Sequence, residues 1–448
     1  AINLLRKLNR EAKVYLIEKH EGALFRGAAY SSQLSYEPLN VHAGKMSAFA
    51  HLPDSFYQWV VDNRSNAIQR ESFVSRRWYG DYLTELFQKH KAQNKLVKAK
   101  AVIDTVTSVC RDEASGLYTI KFEGRDALTA DYVVFATGNE PPQDIFTTEQ
   151  ISAMGTHYVS LPWFTDPLKG IKPTDNVLIV GTGLTMVDHV VSLYKQGHQG
   201  KVYCFSRNGY LPLPHNDTSN YTFDVSFDGK GAREVFFELR RAFRNAAAKG
   251  ITWQSVIDGL RIRTARIWRN LPTAERKLFL RYFKNYWEIH RHRMPQASAN
   301  VLEQMQNEGK LELHNGKYNK VEVNGNAVTF YYTDKATGEQ RSFNTNLIIN
   351  CTGPSGDYMQ CSNDMMKDAI SKGWMKQDEL KIGIETGIRG EIMMRNGIVL
   401  KNCYAVGPLR KASEWESTAM REIRTQADET AQYIADKVAT IHDVLVDI

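Results

Sequence analysis

The sequence has no long uninterrupted apolar segment. None of its hydrophobic runs approaches the roughly 18 to 20 residues that a membrane-spanning helix needs. Hydrophobic residues make up 42% of its 448 positions, an ordinary share for a globular protein. A chain of this length normally divides into two or three domains, each with its own core. We therefore expect a globular, multidomain protein without a membrane span.

Cysteine is scarce and never closely paired along the chain. The five cysteines are scattered, with no CxxC pair and no zinc-ligand spacing. This argues against a disulfide framework, a metal site and a disulfide reductase, which passes electrons through a cysteine pair. Reduced thiols are the simplest interpretation, so we predict a cytoplasmic protein that binds no metal.

Charge of either sign is not in large excess. Fifty-seven basic and 50 acidic residues leave a formal net charge of +7, which is mild for this length. Such a balance permits anionic small ligands such as nucleotides but does not favour nucleic-acid binding. We expect a small-molecule substrate, and the sequence identifies neither that substrate nor the oligomeric state.

One stretch has the order of a nucleotide-binding βαβ unit. An apolar strand at 177–180 leads into a Gly-Thr-Gly turn, then a helix through Val187 and Leu193, then a second strand at 202–205. A glycine turn placed between a strand and a helix is typical of a dinucleotide phosphate site. Met186 replaces the third glycine of the usual pattern, which alters helix packing but leaves the turn. The residues predicted to hold the phosphates are Gly181, Thr182, Gly183 and Leu184.

The same pattern recurs, incomplete, near the start of the sequence. KVYLIEK at 13–19 parallels KVYCFSR at 201–207, a spacing of 188 residues that aligns Ala1 with His189, inside the later helix. We infer two dinucleotide-binding units, and we expect the opening strand and glycine turn of the earlier unit to precede Ala1 in a longer native chain. Chance similarity between two apolar strands is the alternative.

The two units end in different residues, and the difference predicts different cofactors. Glu18, followed by Lys19, can accept hydrogen bonds from both hydroxyls of an adenosine ribose and would repel a 2′-phosphate. Ser206 and Arg207 provide a hydroxyl and a guanidinium, which suit a 2′-phosphate. We therefore predict that the first unit binds FAD and that the second binds NADPH.

Four longer stretches are similar to one known family. They are GAAYSSQLSYEPLNVHAGKMSAF (27–49), VGTGLTMVDHVVSLYKQGHQGKVYCFSRNGYLPLPH (180–215), YWEIHRHRMP (286–295) and VGPLRKASEWESTAMREIRTQA (406–427). They resemble the YdhS-like FAD/NAD(P)-binding proteins. The resemblance implies an α/β fold with two Rossmann-like dinucleotide-binding domains and a helical insertion, and FAD and NADPH as cofactors. It also implies that Asn40, Met46 and Ser47 line the isoalloxazine, with a purely structural loop as the alternative.

Two apolar strands end in Thr-Gly and indicate where the chain passes between domains. They are residues 132–138, ending in Thr137 and Gly138, and residues 347–353. Glycine at such a point lets the backbone approach a cofactor closely. The predicted domains are the FAD domain at 1–140 and 356–448, the NADPH domain at 141–230 and 296–355, and a helical insertion over the active cleft at 231–295.

The insertion is rich in aromatic residues and arginines, and its apolar spacing predicts helices that break at Pro272. It ends in an alternating run of histidine and arginine. Histidines two residues apart do not share a helix face, so we do not predict a metal site. An anion-binding edge and an exposed basic helix end are the alternatives. The residues of the predicted substrate pocket are Arg77, His290, Arg291 and Arg293.

The C-terminal part combines a strand at 404–406, the turn Gly407-Pro408 and a helix from near Ser417 and Thr418 to about Lys437. In flavoproteins of this type, such a helix begins at the pyrimidine side of the flavin. Its free N–H groups and partial positive charge stabilise the negative charge that reduction creates. The predicted FAD-binding residues are Glu18, Lys19, Asn40, Met46, Ser47, Thr137, Gly138, Gly407, Pro408, Ser417 and Thr418.

These features together predict an FAD-containing, NADPH-dependent oxidoreductase. Hydride would pass from NADPH to the flavin and then to O₂ or an organic acceptor. The run HYVSLPW at 157–163 resembles the linker of flavin-containing monooxygenases, which favours a monooxygenase, with N-hydroxylation as one form. No catalytic residue is identified, so a redox or nucleotide sensor that binds both cofactors without turnover is the alternative.

Overall fold

The computed structural model describes residues 1–31, 37–163, 166–216 and 218–446. The chain forms two compact units. Unit 1 comprises Ala1–Ser35, Val41–Glu140 and Ser355–Ile448, and unit 2 comprises Tyr36–Asn40 and Pro141–Pro354. The two main crossings of the chain between the units fall beside the two Thr-Gly segments of the sequence. The assignment of FAD and NADPH to particular segments stays a prediction.

The regular elements alternate along the chain as expected for an α/β protein. The strands are β1 (Ala12–Glu18), β2 (Val97–Ile103), β3 (Val106–Arg111), β4 (Tyr118–Phe122), β5 (Leu128–Ala130), β6 (Val133–Phe135), β7 (Tyr158–Val159), β8 (Val177–Val180), β9 (Val202–Ser206), β10 (Leu311–Asn324), β11 (Ala327–Asp334), β12 (Gln340–Thr345), β13 (Leu347–Asn350), β14 (Glu391–Met393) and β15 (Val399–Ala405). The helices are α1 (Ile2–Lys7), α2 (Ser55–Asn63), α3 (Arg76–Gln93), α4 (Thr148–Met154), α5 (Leu184–Lys195), α6 (Ala232–Ala248), α7 (Trp253–Asn270), α8 (Thr273–Tyr282), α9 (Lys284–Arg291), α10 (Gln296–Asn307), α11 (Asp364–Ser371), α12 (Lys411–Glu414) and α13 (Met420–Val446).

Unit 2 is built on a seven-stranded sheet in the order β12-β11-β10-β9-β8-β13-β7. The strands from β10 to β7 run parallel, whereas β11 and β12 add an antiparallel edge. Every residue of β8 and β13 is buried, which is why both strands read as continuous apolar runs. The chain leaves β8 through α5 to β9 on one side, and β13 pairs on the other. The carboxyl end of β8 is therefore a topological switch point, where ligands of such sheets bind.

Both faces of the unit 2 sheet are covered. On one face, α5 and α10 pack their apolar side chains over β8, β9 and β13, with Met186 and Val190 completely buried. On the other face, aromatic side chains from β9, β11 and the region of α4 form a second core that includes Phe146, Phe205 and Phe330. Helices α6 to α9 follow β9 and make up the insertion, with Pro272 immediately before α8.

Unit 1 contains three small sheets. In the first, β1 pairs in parallel with β2, and α1, α3 and α13 supply the buried side chains Leu5, Phe87 and Ala435 against it. The second has the order β14-β15-β6, with β15 and β6 parallel, and the third is the antiparallel meander β3-β4-β5. α11 buries Met365 and Met366 in the core that these last two sheets share.

Asp104 separates β2 from β3. It leaves the ladder, and its Oδ1 accepts the amide hydrogens of Thr105 and Gly124 at 2.8 and 3.2 Å. None of the described helices has both the length and the apolarity to cross a lipid bilayer.

Candidate dinucleotide-binding sites

The turn after β8 requires glycine at its first position. Gly181 has a φ of +110°, and a Cβ atom there would lie 2.1 Å from the carbonyl oxygen of Cys351. The Gly181 amide donates to Phe205 O at 2.7 Å, and the Cys351 amide donates to Val180 O at 2.7 Å. These bonds fix the ends of β8, β9 and β13 side by side. No other residue type fits this position without displacing backbone.

Two hydroxyl groups connect the glycine turn to the end of β9. Thr182 Oγ1 lies 3.0 Å from Ser206 Oγ and donates to Tyr210 O at 2.7 Å. Ser206 Oγ also accepts the amide hydrogen of Gly209 at 2.9 Å. The structure thus brings the predicted phosphate turn and the predicted ribose-phosphate residues together.

α5 presents the start of a twelve-residue helix to this turn. Gly183 is its N-cap residue, with no side chain to satisfy the first amide groups, which point to where an anion would bind. Arg207 is exposed and makes no ion pair with a residue in the described ranges, so its guanidinium is available to a phosphate. Met186, at the third glycine position, is completely buried in the core beneath α5, so the departure from the usual glycine pattern affects packing alone.

In unit 1, the predicted cofactor residues after β6 and β15 are neighbours. The two strands are parallel, and the Val406 amide donates to Phe135 O at 2.9 Å. Gly138, with a φ of +76°, and Gly407, with a φ of +84°, follow at the same edge of the sheet. Backbone at such an edge can approach a ligand closely. Pro408 then begins a single 3₁₀ turn.

A buried polar chain holds the Gly407 turn against α13. The Gly407 amide donates to Gln426 Oε1 at 2.7 Å, and Gln426 Nε2 donates to Glu414 Oε2 at 2.7 Å. The other oxygen of Glu414 accepts from Arg410, which is 2% exposed and also donates to Ile388 O at 3.0 Å. Sequence reasoning missed this network. The only signal was a set of polar residues in a stretch that otherwise supplies core side chains.

A second contact ties α13 to the loop predicted to line the flavin. Arg424 donates from Nη1 to the carbonyl oxygen of Ser47 at 2.9 Å. The Ser47 hydroxyl accepts the amide hydrogen of Phe49 at 3.0 Å and lies 2.6 Å from Leu52 O. This hydroxyl is therefore engaged within the loop. Met46, beside it, is buried.

Two tyrosines of unit 1, Tyr79 and Tyr82, have raised pKa values. Burial raises the pKa of Tyr82, whose hydroxyl donates to Ser55 Oγ at 2.8 Å. Burial also raises the pKa of Tyr79, and the nearby Arg424 charge opposes that rise. The Tyr79 hydroxyl has no hydrogen-bond partner in the described part of the chain. Both tyrosines are therefore neutral donors at physiological pH.

The predicted start of the C-terminal helix is wrong by about two residues. α13 begins at Met420 and continues to Val446, well past Lys437, so neither Ser417 nor Thr418 is its N-cap. The reason is a sharp change of direction after α12, where Trp415 has a φ of +59° and the Glu416 amide turns back to Glu414 O at 2.6 Å. The connecting residues complete this turn before the helix can start.

Ser417 keeps a feature of a binding residue even though it does not cap the helix. It is completely buried, and its hydroxyl has no hydrogen-bond partner among the residues that the structure describes. Thr418 is half-buried. An unsatisfied buried hydroxyl costs about 1–3 kcal/mol, so a ligand that offered it a polar atom would be stabilised. That this ligand is a flavin stays a prediction.

The remaining predicted residues lie in different places. Glu18 ends β1 and accepts the His20 amide hydrogen at 3.1 Å, with Lys19 exposed beside it. Thr137 is exposed just after β6. Asn40 belongs to unit 2, where its carbonyl oxygen lies 2.9 Å from His215 Nε2. Part of the predicted flavin loop therefore belongs to each unit.

The four predicted substrate residues do not form one group. Arg77 is exposed on α3 in unit 1, whereas the other three belong to unit 2. An exposed basic helix end is wrong for Arg291 and Arg293, which are 9% and 5% exposed. They are buried because α9 ends there and the chain turns inward, with Met294 pairing beside Pro214.

The residues of unit 1 fit an FAD by their chemistry. The carboxylate of Glu18 suits ribose hydroxyls. Buried hydroxyls on Tyr79 and Ser417, which have no hydrogen-bond partner among the described residues, can donate to a heterocycle. The Gly407 turn is held by the Gln426 network, and its positive φ allows close backbone approach.

Comparison with known proteins agrees with this arrangement. A family model described as FAD-NAD(P)-binding matches residues 1–140. No curated protein shows significant similarity to the chain.

Solved structures match almost the whole chain in fold. The ornithine N-hydroxylase of Kutzneria sp. 744 is 13% identical with a TM-score of 0.62, over 97% of this chain and 96% of that one. The L-lysine 6-monooxygenase of Pseudomonas syringae is 13% identical with a TM-score of 0.62, over 95% and 90%. The cadaverine monooxygenase of Erwinia amylovora, solved with FAD, is 11% identical with a TM-score of 0.58, over 95% and 94%.

At such identities the similarity establishes the fold alone. The fold is that of flavoproteins with two dinucleotide-binding domains, and the predicted fold class is confirmed.

Proposed function

We propose that this protein is an FAD-containing, NADPH-dependent monooxygenase. One observation carries the proposal: three proteins named as hydroxylase or monooxygenase match at least 95% of this chain in fold, with TM-scores of 0.58 to 0.62. Those titles name ornithine, lysine and cadaverine, all of which are amines. N-hydroxylation of an amine is therefore the finer hypothesis for the reaction.

The residues of unit 2 support NADPH as the reductant. The amide groups at the start of α5 would hold the pyrophosphate beside Gly181. Arg207 would pair with the 2′-phosphate, and Ser206 would donate a hydrogen bond to it. A cofactor without this phosphate would lose that contact. The expected preference is therefore for NADPH over NADH.

The residues of unit 1 support FAD as the redox group. When bound, FAD supplies the electron-transfer chemistry, and the protein supplies orientation and electrostatics. Glu18 would hold the adenosine ribose, and the turns at Gly138 and Gly407 would bring backbone close to the cofactor. The buried Ser417 hydroxyl would donate a hydrogen bond to it, and Arg424 would fix the Met46–Ser47 loop through the Ser47 carbonyl.

The test combines cofactor analysis with turnover. The purified protein should carry FAD, identified by its absorbance after release, and should consume NADPH and O₂ in equal amounts under air. In the presence of ornithine, lysine or cadaverine, a hydroxylated amine should replace part of the hydrogen peroxide. Peroxide without any hydroxylated product, over all three amines, would reject these substrates but keep the oxidase step.

The alternative is a sensor that binds both cofactors without turnover. That protein would bind FAD and NADPH, yet the NADPH consumed under air would not exceed the amount of enzyme-bound flavin. This result would replace the monooxygenase proposal. A protein that binds neither cofactor would contradict both functions.

Two finer assignments belong to the same proposal. We assign the protein to the YdhS-like family on the four stretches that resemble it, which lie at 27–49, 180–215, 286–295 and 406–427. We also propose that it works in the cytoplasm. The support is that all five cysteines are free thiols, four of them buried.

A further inference from the structure

Arg293 is a buried arginine of unit 2 with two unused donors. Only 5% of the residue is exposed. Its Nη2 donates to Asp258 Oδ1 in α7, whereas Nε and Nη1 are buried and have no hydrogen-bond partner among the described residues. Buried guanidinium donors without acceptors destabilise a fold. A fold that keeps them in this state is well suited to bind an anion there.

The charges around Arg293 also favour an anion. Burial is the largest cause of its lowered pKa, and the neighbouring Arg291 and Arg261 lower it further, while Asp258 acts in the opposite direction. Asp258 therefore offsets the cost of burial only in part, and two further arginines add positive charge beside the buried guanidinium. An added negative charge would offset this positive charge.

Two aromatic side chains, Trp253 and His290, lie near the Arg293 guanidinium. The Arg293 Cζ atom lies 6.0 Å from the centre of the Trp253 ring, and the His290 ring packs edge-on against Trp253 at 4.9 Å. The Trp253 indole gives the guanidinium an apolar neighbour on one side. Such a neighbour lowers the local dielectric and strengthens any ion pair formed there.

Backbone pairing fixes the segment that carries Arg293 within unit 2. The Met294 amide donates to Leu213 O at 3.0 Å, and the His215 amide donates to Met294 O at 2.9 Å. The His215 side chain in turn lies 2.9 Å from the carbonyl oxygen of Asn40. Two hydrogen bonds therefore connect Met294, the neighbour of Arg293 in the chain, to Asn40 of the same unit.

We infer that Arg293 binds a carboxylate of the substrate. The inference rests on the proposed function, because it assigns the anion to the small-molecule substrate of the proposed reaction. The phosphates of NADPH already have the Gly181 turn and Arg207, so they are not the anion assigned here. The substrate class is therefore a small organic acid, which includes amino acids.

The experiment measures binding by calorimetry on the FAD-loaded protein. The probes are two matched pairs that differ in the carboxylate, succinate with succinamide and L-lysine with cadaverine, together with inorganic phosphate and NADPH. We expect saturable binding of at least one carboxylate and none of the partner compound that lacks the carboxylate. Arg293→Gln should weaken that carboxylate at least about tenfold and leave the NADPH affinity unchanged. Arg266→Gln, at an exposed arginine of α7 that pairs with Asp228, is the matched control and should change nothing.

A second variant keeps the test decisive if Arg293→Gln does not fold. Asp258→Asn removes the competing carboxylate and should tighten carboxylate binding, whereas a purely structural ion pair would leave it unchanged. Equal carboxylate affinity in wild type and Arg293→Gln, or binding of no carboxylate, overturns the inference. So does a loss of phosphate or NADPH affinity alone, which would identify a cofactor contact. FAD content and NADPH oxidation are measured in parallel, and if they persist while carboxylate binding fails, the proposed function stands without this inference.

Discussion

Gln426 of α13 accepts the backbone amide hydrogen of Gly407, at 2.7 Å. The same side chain donates to Glu414, which binds the buried Arg410. One glutamine thus satisfies a backbone amide at a positive-φ turn and half of a buried carboxylate at once. The turn after β15 and the start of the long C-terminal helix cannot move independently, because both would leave buried polar groups without partners.

Gln426→Ala should destabilise the protein strongly. The substitution removes the acceptor of the buried Gly407 amide and the hydrogen bond to the buried Glu414 carboxylate, at a cost of about 2–5 kcal/mol. Thermal and denaturant unfolding measure the loss. Arg421→Gln, at an exposed position of the same helix, should stay within about 0.5 kcal/mol of wild type. Equal stability of the two variants would show that the network is not a stabilising feature.

Gly181→Ala should reduce both stability and NADPH affinity. The added Cβ would meet the Cys351 carbonyl at 2.1 Å, and alanine is strained at a φ of +110°. We expect a loss of at least about 2 kcal/mol in unfolding free energy and little NADPH binding. Gly183→Ala is the matched control, since its Cβ meets nothing within 4 Å at an ordinary φ of −86°. Similar losses in unfolding free energy for both variants would contradict the steric argument.

Arg207→Ala should weaken NADPH and leave NADH unchanged. The guanidinium is exposed and without an ion pair in the described ranges, so its removal should not affect folding. A charged hydrogen bond to the 2′-phosphate is worth about 1.5–3 kcal/mol, or about tenfold or more in affinity. Titration of each nucleotide, monitored by fluorescence, measures the ratio. An equal loss for both nucleotides would show that Arg207 does not contact the phosphate that distinguishes them.

Glu140→Gln should remove a pH dependence of stability. Burial raises the pKa of Glu140, and the hydrogen bond from Asn363 Nδ2 at 3.1 Å offsets the rise only in part. Because the folded-state pKa is raised, the carboxyl stabilises the fold most below its unfolded-state pKa of about 4.3. That contribution is lost as pH rises through the folded value.

The free energy of unfolding, measured from acid to neutral pH, tests this sign. The stability of wild type relative to Glu140→Gln should fall as pH rises. Glu123→Gln is the control, at an exposed glutamate, and its difference from wild type should stay flat. A difference between wild type and Glu140→Gln that grows with pH would mean that Glu140 is stabilised as a carboxylate.

Much of unit 2 could be predicted from local sequence. The strand at 177–180, the glycine turn and the helix after it lie where the pattern predicted them, because an all-buried strand and a turn with a positive φ allow few residue types. The grouping of Thr182 with Ser206 followed from the same βαβ order. For this reason the fold class could be predicted from the sequence.

Other features were not predictable in this way. The start of α13 depends on the turn at Trp415, whose positive φ no local rule requires of tryptophan. The burial of Arg293 depends on where α9 ends and on pairing with a segment 80 residues earlier in the chain. The contact of Arg424 with Ser47 joins residues 377 positions apart. Propensity and periodicity carry no information on such distant partners.

The sequence alone determined the β8 strand and its glycine turn, since both follow from steric requirements within a few neighbouring residues. The residues that distinguish one nucleotide from another stay a prediction from charge. Only the tertiary structure decided which polar side chains are buried and what satisfies them. From a sequence pattern alone, arginine, glutamine and serine are predicted to lie at the surface. Arg410, Gln426 and Ser417 are buried because segments distant in the sequence pack against them. Burial makes each of their remaining hydrogen bonds costly to lose.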